Sequence, residues 1–326
     1  MADRTIHPAT SEITRANRLD HLQARWGYKR GAHRVQPGLY ALGHPTPQSP
    51  VFVTANYSLS FDALRSALAG QDGYLLVLDT KGINVWCAAG KGTFGTDELV
   101  HRIAVTGLEK VVAHRRLILP QLGATGVAAH EVKWRSGFRV EYGPVRAADL
   151  PEYLRTSQAS PQMRRVRFNL WDRLTLVPVE LVHLAWPTLV AALLLYLLLG
   201  AKASAAAVVA VLAGAALFPL LLPWLPTRDF SAKGWILGGL AALAFAAPEL
   251  GREASGWLRA GHALAYLLAM PPVTAYLALN FTGSTTFTSP TAVRREIFTY
   301  IRPMAIAFGA GALLIMALAI ARWIGG

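Results

Sequence analysis

Apolar positions along this chain change their rhythm once, near residue 175. Before that point they come in short runs divided by polar turns; after it they fill stretches of membrane-spanning length. In the first part, Val51-Phe52-Val53-Thr54-Ala55 and Tyr74-Leu75-Leu76-Val77-Leu78-Asp79 read as buried strands. Leu117-Ile118-Leu119, closed by Pro120, and the stretch from Phe138 to Tyr142 read as two more. Between them apolar residues recur at helical spacing. Phe61, Leu64 and Leu68 follow Ser60 as N-cap; Leu99 and Ile103 follow Thr96, with Asp97 and Glu98 in the first turn. Further helices are expected over 126–133 and 147–154. Alternating short strands and helices predict an α/β domain over residues 37–156, a Rossmann-like sheet of mostly parallel strands. Residues 1–36 lack a sustained apolar period and read as a polar arm, with a short helix near 11–24.

The second part predicts an all-α transmembrane domain of five helices over 179–326. Its apolar runs fall at 179–199, 203–225, 234–250, 257–281 and 303–324, each near the length that crosses about 30 Å of hydrocarbon. A linker and basic collar at 157–178 precede them, carrying Arg164, Arg165, Arg167 and Arg173. With the α/β domain inside, the collar, Arg228, Lys233, Arg294, Arg295 and Arg302 share one side, and Lys202, Arg252, Arg259 and Arg322 the other. The positive-inside rule then places the α/β domain in the cytoplasm, the helices in the inner (cytoplasmic) membrane among its lipids and the C-terminus outside.

Charge adds little to this picture. Residues 1–178 hold 23 Lys and Arg against 14 Asp and Glu, a net of +9, while 179–326 hold nine against five, a net of +4. A solvated face and a membrane-proximal bias account for the excess, so no nucleic-acid partner is expected. The N-terminal residues have no apolar core and are not expected to act as a signal peptide. One cysteine in 326 residues excludes an intrachain disulfide. It also excludes an iron–sulfur cluster held by this chain alone, which takes about four cysteines.

That cysteine lies in Asn84-Val85-Trp86-Cys87-Ala88-Ala89-Gly90-Lys91, directly after the second strand. Asn84 is a favoured N-cap, so a short helix is predicted from Val85, with Cys87 in its first turn, where free N–H groups suit a negatively charged sulfur. Lys91 stands one turn on and adds positive charge on the same side. Ala88, Ala89 and Gly90 are small, which predicts a bare helix face open to a large flat partner. Thr54, Cys87 and Gln121 each follow a strand closely, and ligands in open α/β sheets gather at the carboxyl ends of strands.

Two other patterns are present. Gly90-Lys91-Gly92-Thr93-Phe94-Gly95 matches the dinucleotide-binding G-x-G-x-x-G, with Glu109 downstream; its first glycine falls inside the predicted cysteine helix rather than directly after a strand. This keeps open a membrane-bound dinucleotide-dependent oxidoreductase. His183 and His262 fall in the apolar runs, and Met270, Met304 and Met316 are soft donors, which keeps open a metal transporter with a cytoplasmic docking domain.

The cysteine stretch resembles the cap-helix signature of the corrinoid protein of microbial mercury methylation, the HgcA family. The likeness extends through Ser49-Pro50-Val51-Phe52-Val53-Thr54-Ala55-Asn56-Tyr57, Leu119-Pro120-Gln121-Leu122-Gly123-Ala124 and Tyr142-Gly143-Pro144-Val145-Arg146. The resemblance implies a cobalamin or related corrinoid, bound base-off, with the Cys87 thiolate as lower axial ligand of cobalt. Thr54, Asn84, Val85, Trp86, Ala88, Ala89, Gly90, Lys91, Gln121 and Gly123 are then the expected cofactor-binding positions. It implies a cobalamin-dependent methyltransferase that passes a methyl group from cobalt to Hg(II), giving methylmercury; a strongly donating thiolate eases departure of the methyl as a carbanion equivalent. A ferredoxin-like partner with two [4Fe–4S] clusters is the implied electron donor. Methyltetrahydrofolate, acting through a methyltransferase, is the expected methyl source.

Overall fold

The computed structural model describes residues 5–325 apart from Arg30 and Thr286. The chain forms two compact units that divide after Val166. In chain order the first contains β1 (Ile6–Ala9), α1 (Arg15–Arg25), β2 (Gly38–Leu42), β3 (Val51–Ala55), α2 (Ser58–Ala67), β4 (Gly73–Leu78), α3 (Val85–Gly90), α4 (Thr96–Thr106), α5 (Leu108–Val111), β5 (Arg116–Leu119), α6 (Ala129–Ser136), β6 (Arg139–Tyr142) and α7 (Leu150–Thr156). Single 3₁₀ turns occupy Gln121–Thr125 and Ala147–Asp149.

The six strands make one mixed sheet in the order β1-β2-β4-β3-β5-β6. All neighbours are parallel except β2 and β4. Strands β3 and β4 are buried along their whole length, as continuous apolar runs require when helices cover both faces. One face packs Phe52, Leu75 and Val77 against Phe61 and Leu64 of α2. The other packs Val53, Leu76 and Leu78 against Val85, Ala88 and Ala89 of α3 and Leu99 and Ile103 of α4. The chain therefore leaves β3 across one face to reach β4, then returns across the other to reach β5. Strands β3 and β5 flank the point where these connections diverge, the place where open α/β sheets form a crevice.

Several expectations shift. Two strands, β1 and β2, are additional to the four read from apolar runs. Part of the polar arm is thus a sheet edge, because His7 and Pro8 pair by backbone with Tyr40 and Ala41. Helix α2 starts at Ser58 with Tyr57 before it, not at a Ser60 cap. Thr96 is the first residue of α4, and its hydroxyl accepts the Ala128 N–H at 2.9 Å instead of capping its own helix. The α/β unit also runs past residue 156: Met163 is buried, and its carbonyl accepts the Val145 N–H at 2.8 Å.

The second unit holds α8 (Leu170–Leu174), α9 (Val177–Leu199), α10 (Ala201–Leu212), α11 (Phe218–Leu221), α12 (Phe230–Leu250), α13 (Gly256–Asn280) and α14 (Pro290–Gly325). A π-helical stretch, Ala213–Leu217, makes α10 and α11 continuous. Five segments among the described residues are long and apolar enough to cross a membrane: Leu170–Leu199, Ala201–Leu221, Phe230–Leu250, Gly256–Gly283 and Thr291–Ala321. Small residues set their packing. A Cβ at Gly234 would stand 2.7 Å from the Ala275 Cα, and one at Gly238 2.7 Å from the Pro271 Cα, so α12 and α13 meet backbone to backbone. The Thr274 hydroxyl adds a 2.9 Å hydrogen bond to the Ala210 carbonyl of α10.

Candidate functional site

The cysteine helix is built as its sequence requires. Asn84 is extended at φ −63°, ψ 160°, and its Oδ1 accepts the Cys87 backbone N–H at 2.9 Å. At the other end, the Thr93 and Phe94 N–H groups close on the Ala88 carbonyl at 3.0 and 3.1 Å, and Gly92 turns the chain at φ +80°. Phe94 is fully buried. The glycine-rich stretch is thus the C-terminal turn of α3 and the anchor of a core phenylalanine. Its first glycine ends a helix, and Glu109 lies in α5, so neither stands at a strand tip as dinucleotide binding needs.

Cys87 is exposed. Asn84, Gly90 and Lys91 are exposed beside it, Trp86 is half-buried, and Val85, Ala88 and Ala89 are buried. The expected bare face of Ala88, Ala89 and Gly90 is therefore corrected. The two alanines face the core, and their small size serves a close approach there: a Cβ on Gly126 would lie 2.9 Å from the Ala89 Cα and 2.2 Å from the Phe94 carbonyl oxygen. Gly90 alone is open, with no atom within 4 Å of where its Cβ would stand. The exposed surface of the helix is Asn84, Cys87, Gly90 and Lys91.

At the carboxyl ends of β3 and β5 lies a cavity of about 260 Å³. Thr54, Asn84, Val85 and Trp86 line it together with Pro120 and Pro144. Thr54 is buried at the end of β3. Gln121 and Gly123 are not in its wall. The Gln121 Oε1 accepts from Arg164 Nη1 at 2.8 Å, and Gly123 makes room for the Phe94 ring, which a Cβ there would meet at 2.6 Å. Cavity and thiol thus share the N-terminal end of α3: Asn84, Val85 and Trp86 line the cavity, and Cys87 is the next residue along the helix.

Sequence reasoning passed over the residue that holds the preceding loop. Asn56 is buried, and its Oδ1 accepts from the Thr80 N–H (3.0 Å), the Thr80 hydroxyl (2.9 Å) and the Gly82 N–H (3.0 Å), while its Nδ2 donates to Asp79 at 3.1 Å. The Thr80 hydroxyl donates to the Ile83 carbonyl, one residue before the cap, at 2.7 Å. One side chain at the end of β3 therefore fixes the turn that delivers Asn84. The only signal was its place inside the Ser49–Tyr57 likeness.

The apolar-run candidates separate. Met270 and Met304 are buried in helix packing, and Met316 is exposed. His183 and His262 each hydrogen-bond through Nδ1 to the carbonyl four residues back, at 2.6 and 2.8 Å. Among the described residues no three His, Cys, Asp or Glu side chains gather as a metal site.

A six-stranded α/β domain with an exposed cysteine on a short helix beside a switch-point cavity is the class defined by this geometry. Residues 23–154 match the profile of the CO dehydrogenase/acetyl-CoA synthase delta subunit family, CdhD. The chain is 35% identical over 123 residues to the acetyl-CoA decarbonylase/synthase complex subunit gamma of Archaeoglobus fulgidus, covering 37% of this chain and 26% of that protein. The subunit gamma of Methanopyrus kandleri is 35% identical over 127 residues, covering 38% and 27%. The corrinoid/iron-sulfur protein large subunit of Moorella thermoacetica is 26% identical over 161 residues, covering 47% and 36%. The chain spans about a quarter to a third of the length of these relatives. Its likeness to the family model lies in the α/β unit.

Proposed function

We propose that this chain is a membrane-anchored corrinoid protein that delivers a methyl group to Hg(II), with Cys87 as the residue whose thiolate would hold the cobalt. The observation that carries the reading is the exposed thiol of Cys87, held beside the switch-point cavity in a domain similar to corrinoid-protein subunits. The residues fit such a cofactor in chemistry and in shape. A thiol sulfur is a soft donor suited to cobalt, and the open space over Gly90 leaves the helix surface flat beside it. A cavity of about 260 Å³ lies below the range of roughly 300–1,000 Å³ usual for drug-sized ligands, so a macrocycle belongs on the open surface and not inside.

A bound corrinoid supplies the cobalt on which a methyl group is carried and released. The chain supplies the rest. Asn84 fixes the first turn of α3 and with it the Cys87 backbone. Lys91 contributes positive charge on the same exposed surface, and Trp86 and Thr54 line the cavity. The buried Ala88 and Ala89 seat the helix on β3 and β4, so the sulfur does not give way under a ligand.

Electrons for the cofactor come, in this reading, from a ferredoxin-like protein with two [4Fe–4S] clusters, since one cysteine cannot hold a cluster. The methyl group comes from methyltetrahydrofolate through a methyltransferase. The five apolar helices support a membrane location, in this reading the inner membrane with the α/β unit in the cytoplasm. Reporters fused to the two termini are expected on opposite sides, since five is odd.

The test is anaerobic purification with the partner, followed by visible spectroscopy and a methylmercury assay. The wild type is expected to carry corrinoid absorption. Cys87→Ala is expected to lose methylmercury formation and shift the spectrum, with melting unchanged because the side chain is exposed. Undiminished methylation by Cys87→Ala would overturn the mechanism.

A further inference from the structure

Among the described residues, the outward face of α1 has no partner. Leu19, Leu22 and Trp26 lie along it at positions i, i+3 and i+7, and are 56%, 53% and 52% exposed; Tyr28 just beyond is 54% exposed. Arg15, Arg18, Arg25 and Lys29 are exposed around them. None of these cations is paired with a carboxylate among the described residues. The one acid between Arg15 and Lys29 is Asp20, turned inward to His33 Nδ1 at 2.7 Å and to the Ser58 hydroxyl at 2.5 Å. The inner side of the helix is small, with Ala24 buried. A helix with apolar anchors and cations on one face, and nothing acidic there, has the composition of an interfacial membrane helix.

We infer that α1 is a membrane-docking face that lays the α/β unit on an anionic lipid surface. Three observations favour lipid over another occupant. The charge on the face is of one sign and opposite to that of acidic headgroups. Only Arg167, Phe168 and Asn169 separate the end of the α/β unit from the first apolar helix, so a bilayer holding the five helices is within a few residues' reach. The layers of the domain also suit it. Helix α1 hydrogen-bonds through His21 to Asp62 of α2, at 2.8 Å, and so stands on the α2 side of the sheet, whereas Cys87 belongs to α3, which covers the opposite face. Docking through α1 leaves the thiol open to a soluble partner.

The experiment uses the full chain with Cys87→Ser, reconstituted in vesicles of phosphatidylcholine alone or mixed with phosphatidylglycerol. A nitroxide is placed at Leu22→Cys, and in a second protein at Trp134→Cys, a position 86% exposed on α6. In mixed vesicles at low salt, Leu22→Cys is expected to lose several-fold in accessibility to a water-soluble nickel chelate and gain accessibility to oxygen. Trp134→Cys stays in water. High salt, or Arg18→Glu with Arg25→Glu, should reverse the shielding, because the attraction is screened within about 8 Å at physiological ionic strength. Equal nickel accessibility in both lipids overturns the proposal. So does shielding at Trp134→Cys, which would put the opposite face on lipid, and so does spin–spin broadening that disappears on dilution with unlabelled chain, which would mark a second copy on this face. Flotation with the vesicles in every arm shows that the spans remain anchored, and so separates failure of docking from failure of the membrane reading.

Discussion

Asn84 and Cys87 are joined by a single hydrogen bond, from the cysteine backbone N–H to the asparagine Oδ1 at 2.9 Å. One side chain therefore both starts the helix and fixes the backbone of the residue that carries the thiol. In a helix of six residues this cap is a large share of the local stability, because few internal hydrogen bonds exist to offset the cost of nucleation.

Asn84→Ala is expected to cost about 0.5–2 kcal/mol, the usual loss for an N-cap, with little change in the rest of the sheet. Hydrogen exchange at Cys87 and Ala88 should rise while the amides of β3 and β4 stay protected. Unchanged exchange would show that packing alone holds the helix.

Asn56→Ala removes the acceptor of Thr80 and Gly82. The Thr80 hydroxyl and N–H keep the Ile83 and Leu78 carbonyls, so the Gly82 N–H is the donor left without its partner. That loss costs about 1–3 kcal/mol, so this substitution is expected to cost at least as much as loss of the cap. Thermal melting checks the magnitude, and the rate of Cys87 alkylation reads whether the loop that delivers the helix has loosened. Asn56→Asp keeps the acceptor oxygen but sets a second carboxylate about 3.1 Å from Asp79 in a buried site, so it is not expected to rescue the loop.

Ala89→Leu and Gly90→Leu are neighbours with opposite expectations. Ala89 is buried against the Gly126 turn, so the larger side chain overpacks the core and costs about 1–3 kcal/mol with no ligand present. Gly90 meets open space, so Gly90→Leu should melt like the wild type yet lower corrinoid uptake. Measuring melting and corrinoid occupancy for both variants separates them. Full occupancy in Gly90→Leu would move the cofactor off this surface.

The N-terminal helix carries a pH-dependent contact. His33 Nδ1 lies 2.7 Å from Asp20 Oδ1 and Nε2 lies 2.5 Å from the Tyr28 carbonyl, both acceptors, so both ring nitrogens carry protons. Burial opposes this charge, but the Asp20 and Tyr28 hydrogen bonds outweigh it and hold the His33 pKa above its ordinary value. Burial likewise works against the Asp20 carboxylate, and Ser58 and His33 hold its pKa below the usual value. The contribution of His33 is then fully present below its unfolded pKa of about 6.5 and is lost as pH rises through the higher folded value. That of Asp20 is lost as pH falls through its depressed folded value. Exchange over residues 15–35 is expected to quicken, once corrected for intrinsic rates, as pH rises above the ordinary histidine value of about 6.5, and His33→Gln should flatten that profile.

The sequence by itself determined the elements with one strong local cause. The β3 and β4 runs admit no amphipathic alternative, Asn84 caps where a cap was read, and apolar length marks five helices able to cross a membrane. Each of these follows from neighbours within a few residues. Tertiary structure decided the rest. Gly38–Leu42 becomes a strand only by pairing with β4, and Ile6–Ala9 only by pairing with β2, since neither carries enough apolar pattern to declare itself. Ala88 and Ala89 look bare in a sequence, because small residues suit a ligand surface and a tight core equally; the burial of Ala88 and the approach of Gly126 to Ala89 decide for the core. Asn56 gives no local sign of its four hydrogen bonds, whose partners lie more than twenty residues away. Local pattern could place the thiol at a helix start, but which side of that helix meets solvent depends on the sheet beneath it.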